Sequence, residues 1–381
     1  MTTSIAFVTT GDIESIATSK RAFGMASPLA GLNYEVSILL EDTPNNRARL
    51  ALEAPTARAL WFDRGSASSE LRTKRRILRE LAPNIVYVGA YGVRNLVLPL
   101  APTRAFYIVE HSELLSAIAN RSMVRRVSDA VLERSSLRFF DGQVCASEYL
   151  VDFVKARLRA KAVRRVHYSP YAFTRSVLTP GGAPAPGTAG QTILYMGTLA
   201  RNYGILHILD AVAQLKETRP GVRLVVLGRG RDYETAVAHA RIKGIEDNVD
   251  FKGYVPESEL PEQLSSADVF IAPLFDTIQD IARCPSKMFM YLPFGKPVVT
   301  SPIGEACALF GPDYDFYFKP NDVASMRDRL MAALDRPGDW TPNWTARDHE
   351  WQARATAFDT WLRGLGVVSA PHPAGEETQY Q

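Results

Sequence analysis

The chain has 381 residues, of which 46% are hydrophobic and 22% charged, and its net charge is only +3. That length exceeds one ordinary core and fits two domains, and the composition is that of a globular protein in water. No apolar run reaches the roughly eighteen residues of a membrane helix, and three scattered cysteines (Cys145, Cys284, Cys307) give neither a disulfide framework nor metal-ligand spacing.

The charge is unevenly divided. Residues 1–175 hold 25 Lys/Arg against 16 Asp/Glu, and the remainder holds 19 against 25. A basic half beside an acidic one points to an anionic partner for the first: membrane headgroups, a lipid-linked pyrophosphate or a polyanionic glycan. Nucleic acid is not expected, because the basic residues follow no reader motif. The first residues, MTTS, lack the basic flank of a signal peptide. The expected location is the cytoplasm, with peripheral contact at the inner membrane face left open.

Residues 4–10 (SIAFVTT) form a short apolar strand that ends at Gly11 and Asp12. Glycine there permits a tight turn and close approach of the backbone to a ligand. A helix over about 15–32 and a strand over 34–40 continue a doubly wound sheet. No G-x-G-x-x-G follows the first strand, which argues against a nicotinamide dehydrogenase. A basic helix over 72–81 precedes Pro83, and strands follow at 85–88 and 106–109. The second of these runs into Glu110, His111, Ser112 and Glu113. A His at the carboxyl end of a parallel strand faces the ligand crevice, and Glu110 and Glu113 are placed to orient its ring. The plain alternative is a helix-capping segment with an incidental His.

Residues 120–140 read as a long basic helix, 141–147 as a strand stopping at a Ser147 cap, and 148–161 as a helix. Arg157, Arg159, Lys161, Arg164 and Arg165 extend the basic surface. Such runs are ordinarily solvated helix faces, with interfacial membrane contact as the alternative. The stretch 179–190 (TPGGAPAPGTAG) holds only Pro, Gly, Thr and Ala and reads as a linker.

After it the strand–helix alternation restarts. A strand over 192–196 ends at Gly197 and Thr198, with Arg201 and Gly204 ahead of a helix over 205–218. A strand over 222–227 ends at Gly228, a helix spans about 233–243, and 248–254 forms a short strand and turn. A helix over 256–267 and a strand over 269–273 lead to CPSKMFMYLPFGKPVVTSPIGE, residues 284–305. There Pro285 and Ser286 start a helix with Ser as its cap, 298–301 is a buried strand, and Glu305 sets a carboxylate at the strand end. A helix start beside Lys287 makes an anion site. Phosphate at one end and hydroxyls at the other suit a nucleotide-sugar, although the same residues also suit an ordinary buried helix–strand unit. Helices over 321–334 and 344–365 follow, the second with Trp351, Phe358 and Trp361 as packing aromatics. Residues 367–381 read as a disordered tail.

Four runs, kept in order and spacing, carry a family likeness: ILYMGTLARNYG, VRLVVLGRGRDYETAVAHA, NVDFKGYVPESELPEQLSSADVFIAPL, and PSKMFMYLPFGKPVVTS with Gly304 and Glu305. They resemble the donor domain of GT-B retaining glycosyltransferases of family four, over about residues 191–335. The first half is similar in pattern only, in its glycine after the first strand and its His after the strand at 106–109. The resemblance implies an α/β GT-B fold, two Rossmann-like doubly wound domains facing a central cleft. Residues 1–178 would form the acceptor domain, 179–190 the linker, 191–343 the donor domain, and 344–366 a helix returning to the first domain.

The resemblance also implies a transferase that uses no metal and no cofactor. The donor is a nucleotide-diphosphate sugar, and the acceptor a glycan, a lipid-linked sugar or a small molecule. Gly197 and Thr198 would lie against the diphosphate, and Arg201 would neutralise it. Gly228, Gly253 and Tyr254 would border the base, with Ser286 and Lys287 beside the diphosphate and sugar. His111 would be the catalytic residue near the reacting carbon, Gly11 would let the backbone approach the donor sugar, and Asp12 would meet the acceptor. Family members carry Arg after the first glycine and Lys before the later one, where this chain has Thr198 and Tyr203. The family's paired glutamates would fall at Ala282 and Met290. Either Glu305 takes over the ribose hydroxyls, or backbone and water hold them, or the donor site is impaired. Two rival readings follow: a catalytically silent partner subunit and a sugar-nucleotide epimerase of the same architecture.

Overall fold

A computed structural model describes residues 2–13, 19–101, 103–118, 121–175, 178, 191–256, 258–336 and 340–369. The first half alternates β1 (Thr3–Val8), α1 (Lys20–Gly31), β2 (Tyr34–Glu41), α2 (Pro44–Glu53), β3 (Arg58–Phe62), α3 (Ala67–Leu81), β4 (Ile85–Val88), β5 (Phe106–His111), α4 (Met123–Phe139), β6 (Gly142–Cys145), α5 (Glu148–Lys155) and β7 (Val166–Tyr168). Its strands form one parallel sheet in the order β3-β2-β1-β4-β5-β6-β7. The second half continues with β8 (Thr192–Met196), α6 (Ile205–Thr218), β9 (Arg223–Leu227), α7 (Tyr233–Ile242), β10 (Val249–Gly253), α8 (Leu260–Ser265), β11 (Val269–Ala272), α9 (Ile278–Ala282), α10 (Ser286–Tyr291), β12 (Val298–Thr300), α11 (Glu305–Phe310), α12 (Val323–Asp335) and α13 (Trp351–Gly364). Its sheet is also parallel, in the order β10-β9-β8-β11-β12.

Both sheets reverse direction at their first strand. β1 lies between β2 and β4, with Ile5 opposite both Val36 and Ile85, and β8 lies between β9 and β11. Crevices open at the carboxyl ends of such strands, and there Gly11 and Gly197 stand. The strands are apolar on both faces because helices cover both. Phe7, Ile38, Tyr87 and Ile108 face α1, while Val8, Leu39, Val86 and Val109 face the opposite layer.

The last helix belongs to the first core. Trp351, Ala355, Phe358 and Leu362 of α13 pack with Phe23, Ala26 and Ile108. Gly24 of α1 makes this possible, since a Cβ there would strike the Trp351 ring. Where the chain leaves the first half and where it returns, its two crossings pair. Phe173 N donates to His349 O at 3.3 Å, and Trp351 N to Phe173 O at 3.1 Å.

Several boundaries differ from expectation. The helix read over 15–32 is described from Lys20, with residues 14–18 outside the described set. The helix read over 148–161 stops at Lys155, and residues 160–165 form a separate 3-10 turn. The helix read over 256–267 shrinks to α8. Residues 179–190, read as the linker, and 370–381 of the tail lie outside the described residues. The start of that tail is not loose: Val368 is buried and Val367 packs beside it in the first core.

Candidate functional site

A cleft of about 770 Å³ runs between the two halves. Its wall from the second half starts at three interlocked strand ends. Gly197 N donates to Leu227 O at 2.8 Å, and Gly228 N donates to Gly253 O at 2.6 Å. Gly228 has φ +136°, and a Cβ on it would collide with the Gly197 carbonyl. Only glycine lets these backbones approach so closely. Gly197, Thr198, Gly228 and Tyr254 line the cleft, whereas Gly253 sits behind it against the Arg229 side chain.

Two of the cleft's cations come from the stretch between α9 and α10, alongside Arg229 of the second half and Lys20 and Arg49 of the first. Lys287 Nζ lies 4.1 Å from the centre of the Tyr195 ring and 2.7 Å from where a Gly197 Cβ would stand. The missing side chain at Gly197 is thus the space the ammonium fills. Arg283, which ends α9 in extended backbone, lies over the Tyr203 ring at 4.5 Å and pairs with Asp280 at 2.9 Å. Asp280 is also held by Phe275 N at 2.7 Å. Burial, and then the Arg283 guanidinium, bring Lys287 down to about 7, with Asp280 opposing them. Two cations around one carboxylate leave a net positive site lined by backbone.

The structure places Arg201 elsewhere. Its side chain is exposed and outside the cleft lining, and its backbone N donates to Asp232 Oδ2 at 2.8 Å. Arg283 and Arg229 line the cleft instead. Ser286 lines it as well, but as the first helical residue. Pro285 takes the cap position, and no side chain caps the helix. Met290 faces the cleft, and Ala282 is fully buried.

From the first half come Ile13, Asn45, Ser112 and Glu113. Gly11, φ +80°, and Asp12 sit just behind them. Asn46 Nδ2 donates to Gly11 O at 3.2 Å, and Asn45 Nδ2 reaches both Asp12 oxygens at 3.3 Å. His111 ends β5 and is buried, with its ring 5.1 Å from Tyr91. Its Nε2 is 2.8 Å from Gln143 Oε1, and Gln143 Nε2 donates to Phe140 O at 3.3 Å. That second bond fixes the amide so that His111 Nε2 carries the proton. Burial lowers His111 to about 4, so the ring is neutral. Neither flanking carboxylate orients it. Glu110 turns away to Arg21 and Tyr87, each at 3.0 Å, and Glu113 lines the cleft with its carboxyl pushed up by burial.

Glu305 is not a cleft residue. It is buried at the start of α11, where it accepts from the Tyr168 hydroxyl and from Glu148 N at 3.3 Å, both in the first half. Burial pushes it up to about 7. A carboxyl raised in the folded state contributes stability that is full below its ordinary value and lost as pH rises through about 7. Glu305→Gln, which mimics the protonated acid, is therefore expected to gain roughly 1–3 kcal/mol over wild type between acid and neutral pH. Melting temperatures across that range check it; a pH-independent difference would remove Glu305 as the titrating group.

Arg283 and Asn45 were not singled out from the sequence, and Glu113 only as a partner for the His111 ring. Among the described residues no three His, Cys, Asp or Glu side chains gather as a metal site, and no helix is long and apolar enough to cross a membrane.

Two parallel sheets facing a glycine-lined, cationic cleft define the GT-B architecture. The sucrose-phosphate synthase of Thermosynechococcus elongatus has this fold at a TM-score of 0.74 and 16% identity, covering 96% of this chain and 100% of that one. The Anabaena protein HepE, solved with UDP and glucose, matches at 0.67 and 15%, over 95% of each chain. Residues 185–353 match the model of glycosyl transferases group 1. The 2-deoxystreptamine glucosyltransferase of Streptomyces kanamyceticus is 26% identical over 250 residues, 61% of this chain. The match spans 62% of that relative's own length.

Proposed function

We propose that the protein is a retaining glycosyltransferase that takes a nucleotide-diphosphate sugar, with UDP the favoured nucleotide, and uses Arg283 and Lys287 rather than a metal to receive the leaving diphosphate. The observation that carries this reading is Lys287 seated against Gly197 at the end of β8, with Arg283 and Gly228 lining the same cleft. UDP is favoured because HepE was solved with it. The bond from the anomeric carbon to the diphosphate breaks, and its electron pair goes to the phosphate oxygen, where the two cations meet the developing charge. The acceptor hydroxyl adds on the same face, and its proton passes to that departing oxygen. Neutral His111, at the end of β5, is buried just behind Ser112 and Glu113 and outside the cleft lining, so its part is to support the sugar side from behind. Glu305 is already engaged, so ribose falls to backbone and water beside Met290. The silent-subunit and epimerase readings draw no support from a relative named as a glucosyltransferase.

Incubation with a panel of nucleotide-sugars and candidate acceptors tests this reading. Acceptor-dependent release of nucleoside diphosphate, with the anomeric configuration kept in the product, is expected. An altered sugar released without acceptor would instead mark an epimerase. Binding should also take up a proton. A diphosphate beside Lys287 restores its charge, so UDP affinity is expected to fall up to about tenfold per pH unit above 7. Calorimetry in two buffers of different ionisation enthalpy reads that proton; Lys287→Arg should abolish the uptake.

A further inference from the structure

Helix α4 is packed inside out. Its buried residues are Asp129, Glu133 and Ser136. Asp129 is held by Arg121 and by Arg125 at 3.3 Å. Glu133 accepts from Ser116 N at 2.9 Å and Ser116 Oγ at 2.8 Å. Its outward face instead carries Met123, Val124, Val127 and Val131, which are 71%, 81%, 57% and 55% exposed. At 100° per residue these four fall within one 100° sector, and the exposed Arg134 and Arg138 continue the same sector toward the helix end. Four of the exposed large apolar side chains thus form one stripe on a single helix, set beside guanidinium groups.

The surroundings share the charge. Leu137 of α4 packs in one cluster with Val151 and Leu158. The adjoining segment exposes Arg157, Arg159 and Lys161. Apolar side chains ringed by cations suit an interface that is oily below and anionic above. The opposite, buried face of α4 adjoins the connection that lines the cleft. Residues 115–117 pack on α4, and Ser112 and Glu113 of the same connection line the cleft wall.

We propose that α4 docks the protein on an anionic lipid bilayer, with Met123, Val124, Val127 and Val131 entering the acyl boundary and Arg134 and Arg138 meeting lipid phosphates. The docking itself does not depend on the transferase reading, since vesicle binding is measured without turnover.

The test is sedimentation with vesicles of phosphatidylcholine alone or mixed with phosphatidylglycerol, at low and high salt. Wild type should partition onto the mixed vesicles and leave them at high salt. The variant V124S/V127S/V131S should lose binding at least tenfold while keeping its melting temperature and its thermal shift with UDP. R134S/R138S should lose about fivefold per arginine on anionic vesicles only. The proposal is overturned if wild type ignores anionic vesicles. It is equally overturned if analytical ultracentrifugation shows a dimer that the triple variant abolishes, because the stripe would then cover a second copy of the chain.

Discussion

Arg283→Ala is expected to lower kcat/KM for the donor by roughly 10²–10³-fold, as removal of one preorganised donor to a developing oxyanion does elsewhere. Lys287→Ala should fall in the same range, and the double variant should be less than multiplicative because both side chains face one diphosphate. Arg201→Ala should stay within a few-fold of wild type, since its side chain stands outside the cleft lining. Arg283 also pairs with Asp280, so its loss touches packing as well as chemistry. Arg283→Lys separates the two: it keeps the charge beside Asp280 but loses the planar fork, and an intermediate rate with a near-normal melting temperature is expected. A crippled Arg201→Ala beside an active Arg283→Ala would return the diphosphate site to the β8–α6 turn.

The second large effect concerns stability. Arg21 is buried, pairs with Glu110 at 3.0 Å, donates to Ser169 Oγ at 2.8 Å and to Ser169 O at 2.7 Å, and lies between the Tyr171 and Trp351 rings. Glu110→Gln leaves this guanidinium buried without its counter-charge, at an expected cost of about 3–5 kcal/mol. The melting temperature should drop on the order of 10 °C. Arg21→Met combined with Glu110→Gln should recover part of that loss, because the uncompensated charge is then gone. If the double variant is no more stable than the single one, the ion pair is not the cause, and the lost hydrogen bond from Tyr87 becomes the explanation.

Most strands of both sheets were legible because they are short apolar runs, many of them closed by glycine or proline. The pieces missed in the first half, α2, β3 and β7, are polar or half-exposed edge elements. Of PNNRARLALE only Asn46 and Leu50 are buried, so no apolar stripe announces a helix. The site was legible where it is local. Gly197, Gly228, Ser286 and Lys287 belong to continuous motifs, and all four line the cleft. It was not legible where partners come from afar. His111 meets Gln143 across the β5–β6 pair, and Glu305 meets Tyr168, 137 positions away in the chain. Arg201 was misplaced for the same reason: which of several nearby arginines reaches a cleft depends on packing against Tyr203 and Asp280.

The paired crossings at Phe173 and His349–Trp351 set what kind of motion the two halves can make. One covalent connection would let the halves swivel about any axis. Two segments hydrogen-bonded side by side resist torsion and leave bending across their common plane as the soft coordinate. Closure then narrows the gap between the carboxyl ends of β5 and β8 while preserving which residues confront each other across it. Ser112 and Glu113 line the same cleft as Lys287 and Gly197, and a hinge of this kind would keep those walls opposed, so that alignment is set by chain connectivity before any substrate arrives.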